Sequence, residues 1–128
     1  MEQELMGKLN LAYQKSQEFD KQINIISQQT LELSKFGEHL DELISFEEKK
    51  ILTSLGKGVF IKSSIDEKKL FVEVGTGIFI KKDPENARKV VDSQIKKLEE
   101  LKNSLMLEAS QNDEALKEMM KEIENKKQ

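Results

Sequence analysis

Two Gly-x-Gly corners have the residue types and spacing that could bind a nucleotide phosphate. They lie at Gly56-Lys57-Gly58 and Gly75-Thr76-Gly77. A dinucleotide-binding loop needs a third glycine three residues later and a helix whose N-terminal amides face the phosphate. Isoleucine stands at that third position after both corners, and strand-forming residues follow instead of a helix. We therefore predict that these glycines form turns and bind no nucleotide.

Groups suited to acid–base or metal chemistry do not converge in the sequence. His39 is the only histidine and there is no cysteine, which excludes a thiolate zinc site, a Cys-His dyad and a disulfide framework. Carboxylates alternate with lysines at helical spacing, as in residues 96–100, a pattern typical of a solvent-exposed helix face. We predict no catalytic residue, no metal site and no cofactor, and hence no enzyme.

Composition also limits the partners and the location. The net charge is −3, and no block of basic residues suggests nucleic-acid binding. Glu2 and Glu4 stand where a signal peptide would be basic, and no apolar run approaches the ~20 residues of a membrane span. We expect a cytoplasmic protein without nucleic-acid or membrane partners.

A doubled sequence pattern predicts two β-hairpins. Each corner leads into Val/Ile-Phe-Ile-Lys, at residues 59–62 and 78–81, and residues 51–55 and 70–74 can supply the partner strands. Because side chains alternate along a strand, both faces are apolar, and such a small sheet with open edges is marginal alone. We predict that it joins strands of other subunits. The predicted assembly residues are Val59, Phe60, Ile61, Phe71, Val72, Ile78, Phe79 and Ile80.

The flanking segments have the heptad spacing of a coiled coil. Apolar residues recur in alternating steps of four and three from Leu5 to Ile44 and again from Val91 to Ile123. Asp83-Pro84 is a typical helix start. The similar lengths predict a mainly α fold, a long antiparallel coiled-coil hairpin with two β-hairpins at its connecting end. The predicted division is 1–50 for the first helix, 51–82 for the hairpins and 83–128 for the second helix.

Four polar residues and one glycine interrupt the two apolar seams. We interpret Ser16, Thr30, Lys102 and Asn112 as residues that fix helix register and pairing. Gly37 costs ~1 kcal/mol relative to alanine inside a helix. We expect it to make room for a large leucine of the opposite helix, with a hinge as the alternative.

Near both termini, apolar residues are more numerous than one seam requires. Methionine is flexible and adapts to irregular apolar partners, so these side chains could bind a non-native polypeptide. Ordinary seam residues with scatter are an alternative of equal weight. The predicted client-binding residues are Leu5, Met6, Leu9, Leu116, Met119, Met120 and Ile123.

The chain resembles the α-class subunit of prefoldin in three features. They are the order helix, two hairpins, helix; the doubled Gly-x-Gly-[Val/Ile]-Phe-Ile-Lys corner; and the Asp83-Pro84-Glu85-Asn86-Ala87 helix entry. The resemblance implies that the hairpins join an intersubunit β-barrel platform in a hexamer of two α-class and four β-class subunits. It also implies an ATP-independent holdase, whose coiled-coil tips bind unfolded polypeptides and transfer them to a group II chaperonin.

A structural coiled-coil adaptor is the alternative function. Its hairpins would dock one fixed partner and its helix ends another. It would bind one folded ligand stoichiometrically and would not protect unrelated unfolded proteins from aggregation.

Overall fold

The computed structural model describes residues 2–127 and contains two helices and four strands. This order of elements confirms the predicted fold class. The chain divides into two compact units. The first unit contains Met1–Glu32 and Ile95–Gln128, and the second contains Leu33–Gln94. In chain order the elements are α1 (Glu2–Ser45), β1 (Lys50–Gly56), β2 (Val59–Ser64), β3 (Leu70–Gly75), β4 (Ile78–Lys82) and α2 (Pro84–Lys127).

In the first unit, the two helical segments run antiparallel with their seams facing each other. Asn112 donates a hydrogen bond of 2.8 Å from Nδ2 to the backbone carbonyl of Ala12, and Ser16 Oγ donates one of 3.2 Å to Asp113 Oδ1. Every seam position between residues 5 and 30 and between 95 and 123 is buried or half-buried. Two of the four polar seam residues therefore make hydrogen bonds between the helices, which tie one helix to a fixed position along the other.

In the second unit, the helical segments meet at Gly37, and the expectation of a facing leucine was wrong. A Cβ built on Gly37 would lie 1.6 Å from Nη1 of Arg88. The guanidinium is held there by Asp41, whose Oδ1 lies 3.1 Å from Nε, and by Asp92, whose Oδ1 lies 3.5 Å from Nη1. Arg88 stands three residues before Val91, so it continues the α2 seam with a charged residue. Gly37 thus makes room for an arginine.

The four strands form two separate antiparallel pairs, β1 with β2 and β3 with β4. We name them the first and the second hairpin. Strand β2 extends beyond the predicted end at Lys62, because Ser63 and Ser64 pair with Ile51 and Lys50 of β1. Each hairpin has an irregularity on the strand that enters its corner, between Ser54 and Gly56 and between Glu73 and Gly75.

The two corners have the same glycine pattern and different backbone conformations. In the first, Lys57 and Gly58 have φ values of 52° and 79°, and positive φ at both central residues is the signature of a type I′ turn. In the second, φ is positive at Gly77 (75°) but not at Thr76, as in a type II turn. The doubled sequence pattern therefore does not produce a doubled turn.

Two neighbouring lysines of the β2–β3 connection attach the hairpins to the helix ends. Lys68 Nζ donates hydrogen bonds to the backbone carbonyls of Phe46 and, at 3.1 Å, of Ile44, so it supplies the positive charge that the C-terminus of α1 favours. Lys69 pairs with Asp83, directly before α2. The hydrogen bond and the charge of Asp83 raise the pKa of the Lys69 ammonium, so the pair is intact at neutral pH and is lost as pH rises through that pKa.

Candidate assembly and client-binding surfaces

Each hairpin exposes large apolar side chains. All eight residues predicted at the assembly interface are exposed, from 40% for Val72 to 63% for Phe71. Soluble chains rarely leave so many neighbouring apolar side chains in water unless a partner covers them. The prediction missed four further exposed residues, although β1 was foreseen as a strand and Val74 as part of β3. They are Ile51, Leu52, Leu55 and Val74.

Each hairpin has an aliphatic face and a face that carries phenylalanine, because residues directly opposite each other in an antiparallel pair share a face. The aliphatic face of the first hairpin contains Ile51, Thr53, Ile61 and Ser63, and its Phe face contains Lys50, Leu52, Phe60 and Lys62. The aliphatic face of the second hairpin contains Leu70, Val72, Ile80 and Lys82, and its Phe face contains Phe71, Glu73, Phe79 and Lys81. A hydrogen bond of 2.8 Å from Thr53 Oγ1 to Ser63 Oγ agrees with this division.

A second apolar surface lies between the first turns of α1 and the last turns of α2. Its residues surround a cleft of about 390 Å³, which we name the helix-end cleft. Met6 and Met120 are 46% and 51% exposed there. The cleft is lined by Leu5, Met6, Leu9, Met120 and Ile123, together with Glu2, Glu124 and Lys126.

The structure therefore brings five of the seven predicted client-binding residues to one place. Leu116 and Met119 do not line the cleft; both are half-buried, at α2 seam positions. Sequence spacing could not separate the two groups, because residues of the seam and residues beside it are both apolar here. Their role in client binding stays a prediction.

Titratable groups form no further site in the part of the chain that the structure describes. His39 is exposed on α1. Between residues 2 and 127, no group of three or more His, Cys, Asp or Glu side chains is arranged to hold a metal ion. Over the same residues, neither helix contains a stretch apolar enough to cross a membrane. The two apolar surfaces thus remain the candidates for function.

Comparison with known proteins identifies the family of this chain. The family model described as "Prefoldin subunit" matches residues 13–128. The chain belongs to the prefoldin family. Prefoldins are a chaperone family, so the function is of the chaperone type. No curated protein matches the chain in sequence.

A solved prefoldin-type structure has the same fold. The chain is similar to a chain in the cryo-EM structure of filamentous PFD from Methanocaldococcus jannaschii, with a TM-score of 0.71 and 19% sequence identity. The match covers 91% of this chain and 98% of that chain. At this level of identity the similarity concerns the fold: two long helices with two antiparallel β-hairpins between them.

Proposed function

We propose that this prefoldin-family chain is an α-class subunit whose assembly acts as an ATP-independent holdase. One observation carries the proposal: the first turns of α1 and the last turns of α2 place five apolar side chains around the helix-end cleft. Family membership supports a chaperone-type function. The doubled corner and the Asp83-Pro84 helix entry support the α class.

The size of the cleft suits one or two apolar side chains of an unfolded client. Burying one such side chain contributes about 1.5–3 kcal/mol, which is too little to offset the entropy lost on association. A single cleft should therefore bind weakly and release its client readily. Several clefts tethered in one assembly raise the effective concentration and supply the missing affinity. The two exposed methionines can adapt to clients of different shape.

The hairpins are the proposed assembly platform. We propose that residues 51–82 join β-class subunits in a closed intersubunit barrel, in a hexamer of two α-class and four β-class subunits. Barrel closure would pair the open strand edges and cover the exposed apolar residues. Transfer of clients to a group II chaperonin and a cytoplasmic location complete the proposal, and both rest on the resemblance to prefoldin.

An aggregation assay without nucleotide tests the holdase function. A chemically denatured, unrelated protein is diluted into buffer with the chain, alone and with a β-class subunit, and light scattering is followed. Suppressed scattering at near-stoichiometric assembly supports the proposal. Unchanged scattering despite an assembled complex on sizing would favour the adaptor, which binds one folded partner.

A pair of matched variants assigns the activity to the cleft. Met6→Gln with Met120→Gln should reduce suppression severalfold, because both methionines line the cleft. Ile25→Gln with Met106→Gln is the control, since these residues are 49% and 51% exposed and lie outside the cleft. If the two variants suppressed aggregation equally well, client binding would not depend on the helix-end cleft.

A further inference from the structure

Two of the five apolar side chains in the helix-end cleft are methionines, which peroxides can oxidise. The chain has five methionines and no cysteine, so thioethers are its only sulfur groups. Met6 and Met120 are 46% and 51% exposed in the cleft. Oxidation follows exposure, because the oxidant must reach the sulfur atom from solvent. Both methionines of the cleft are therefore open to oxidation.

The lining of the cleft makes such a modification consequential. Oxidation to the sulfoxide converts a flexible apolar side chain into a polar one. Beside the two sulfur atoms, the apolar lining consists of Leu5, Leu9 and Ile123, which offer no hydrogen bond. Among the described lining side chains, only Lys126 carries a donor at neutral pH, since the two carboxylates there accept hydrogen bonds. A bound apolar client residue would leave a sulfoxide oxygen buried without a partner, which weakens binding.

We propose that Met6 and Met120 form a redox modification site, at which oxidation by a peroxide weakens client binding. A lone pair of the thioether sulfur attacks hydrogen peroxide, the O–O bond breaks and an S–O bond forms. The transferred oxygen gives its proton to the departing hydroxide, which leaves as water, so sulfur loses two electrons and the peroxide gains them. Methionine sulfoxide reductases restore the thioether, which makes the change reversible. The inference rests on the proposed client-binding role of the cleft.

Two other methionines of α2 provide comparisons within the same chain. Met106 is 51% exposed, as Met120 is, but it does not line the helix-end cleft. Met119 is half-buried at a seam position. Oxidation should therefore be fast at Met106 and slow at Met119, and it should impair client binding at Met6 and Met120 but not at Met106. The hairpins contain no methionine, so oxidation should leave assembly unchanged.

Peroxide treatment of leucine variants tests the proposal. The wild-type chain, Met6→Leu with Met120→Leu, and Met106→Leu are each treated with hydrogen peroxide, which is then removed, and are mixed with an untreated β-class subunit. Tandem mass spectrometry measures oxidation at each methionine, sizing measures assembly, and light scattering of a diluted denatured protein measures protection. Leucine keeps the cleft apolar and similar in volume but cannot be oxidised in this way.

The two leucine variants should respond differently to the peroxide. Treated wild type and treated Met106→Leu should protect the client about fivefold less well or worse, the effect of a buried polar group without a partner. Met6→Leu with Met120→Leu should protect equally well before and after treatment. Incubation of the treated wild type with the two sulfoxide reductases, one for each sulfoxide epimer, should restore its protection.

Three results would overturn the proposal and leave the holdase function intact. They are full protection by wild type that is oxidised at Met6 and Met120, loss of protection in treated Met6→Leu with Met120→Leu, and faster oxidation of Met119 than of the two cleft residues. If untreated wild type gave no protection in an assembled complex, the holdase function itself would fail, and this inference with it.

Discussion

The hairpins and the helix-end cleft both expose apolar side chains, but they are built in different ways. On the hairpins, the hydrogen-bonded ladder fixes the direction of each side chain, and the Val/Ile-Phe-Ile-Lys pattern occurs twice. In the cleft, half-buried seam residues sit beside two methionines with several rotatable bonds. A surface of fixed geometry suits one partner of matching shape, whereas an adaptable one suits many. This contrast supports assembly on the hairpins and client binding in the cleft.

The largest expected effect comes from charge on the aliphatic faces of the hairpins. Ile61→Asp with Ile80→Asp should weaken assembly by more than about 100-fold, because each buried carboxylate without a partner costs several kcal/mol. Sizing measures the loss, and circular dichroism checks that the helices remain. Both positions are exposed in the single chain, so its own folding should be little affected.

The same substitutions on the Phe faces sharpen this prediction. Phe60→Asp with Phe79→Asp should also break the assembly into helical monomers or small species, but less completely, because the Phe faces carry four charged residues and the aliphatic faces carry one, Lys82. A persistent hexamer in both variants would contradict the assignment of the interface to the hairpins.

Removal of the apolar groups near the helix ends should have the next largest effect. Replacing Leu5, Leu9, Met119 and Ile123 with serine should abolish client protection while the assembly persists, because none of the four belongs to the hairpins. Light scattering and sizing on the same samples give both readouts. Loss of assembly in this variant would show that these residues are structural instead.

Sequence periodicity predicted the elements well because the same periodicity determines burial. The seam from Leu5 to Ile44 and from Val91 to Ile123 is buried or half-buried at every predicted position. Contacts that depend on which residues face each other across elements could not be obtained this way. Arg88 interrupts an apolar pattern, so the periodicity of α2 alone could not predict that its side chain lies against Gly37 of α1.

The hairpins show the same limit of prediction. Their strands followed from alternation and turn residues to within about two residues at each end. The attachment of Lys68 to the end of α1 could not be predicted from these patterns, because the sequence around a lysine in a polar connection does not indicate which carbonyl will accept its hydrogen bond. The cleft was foreseen as an excess of apolar residues, but its exact lining depends on side-chain directions at the helix ends.

A double-mutant cycle tests the packing of Arg88 on Gly37, with a smaller expected effect. In an Arg88→Ala background, Gly37→Ala should raise the free energy of unfolding by about 1 kcal/mol, the difference in helix propensity. In the wild-type chain the same change should give no such gain, because the new methyl group must displace the guanidinium from its contacts with Asp41 and Asp92. Thermal unfolding of the wild type, the two single variants and the double variant gives the coupling free energy between Gly37 and Arg88. Equal gains in both backgrounds would mean that the arginine moves aside freely.

The smallest effect distinguishes the two corners. Lys57 has a φ of 52°, which is unfavourable for a residue with a Cβ, and asparagine tolerates this region better than lysine. Lys57→Asn should therefore stabilise the first hairpin by about 0.5 kcal/mol, seen as slower amide exchange across the β1–β2 ladder. Thr76→Asn, at the equivalent position of the second corner, is the control and should give no gain, because φ there is not positive. Equal stabilisation at both corners would mean that asparagine acts through its side-chain hydrogen bonds and not through the backbone conformation that separates a type I′ from a type II turn.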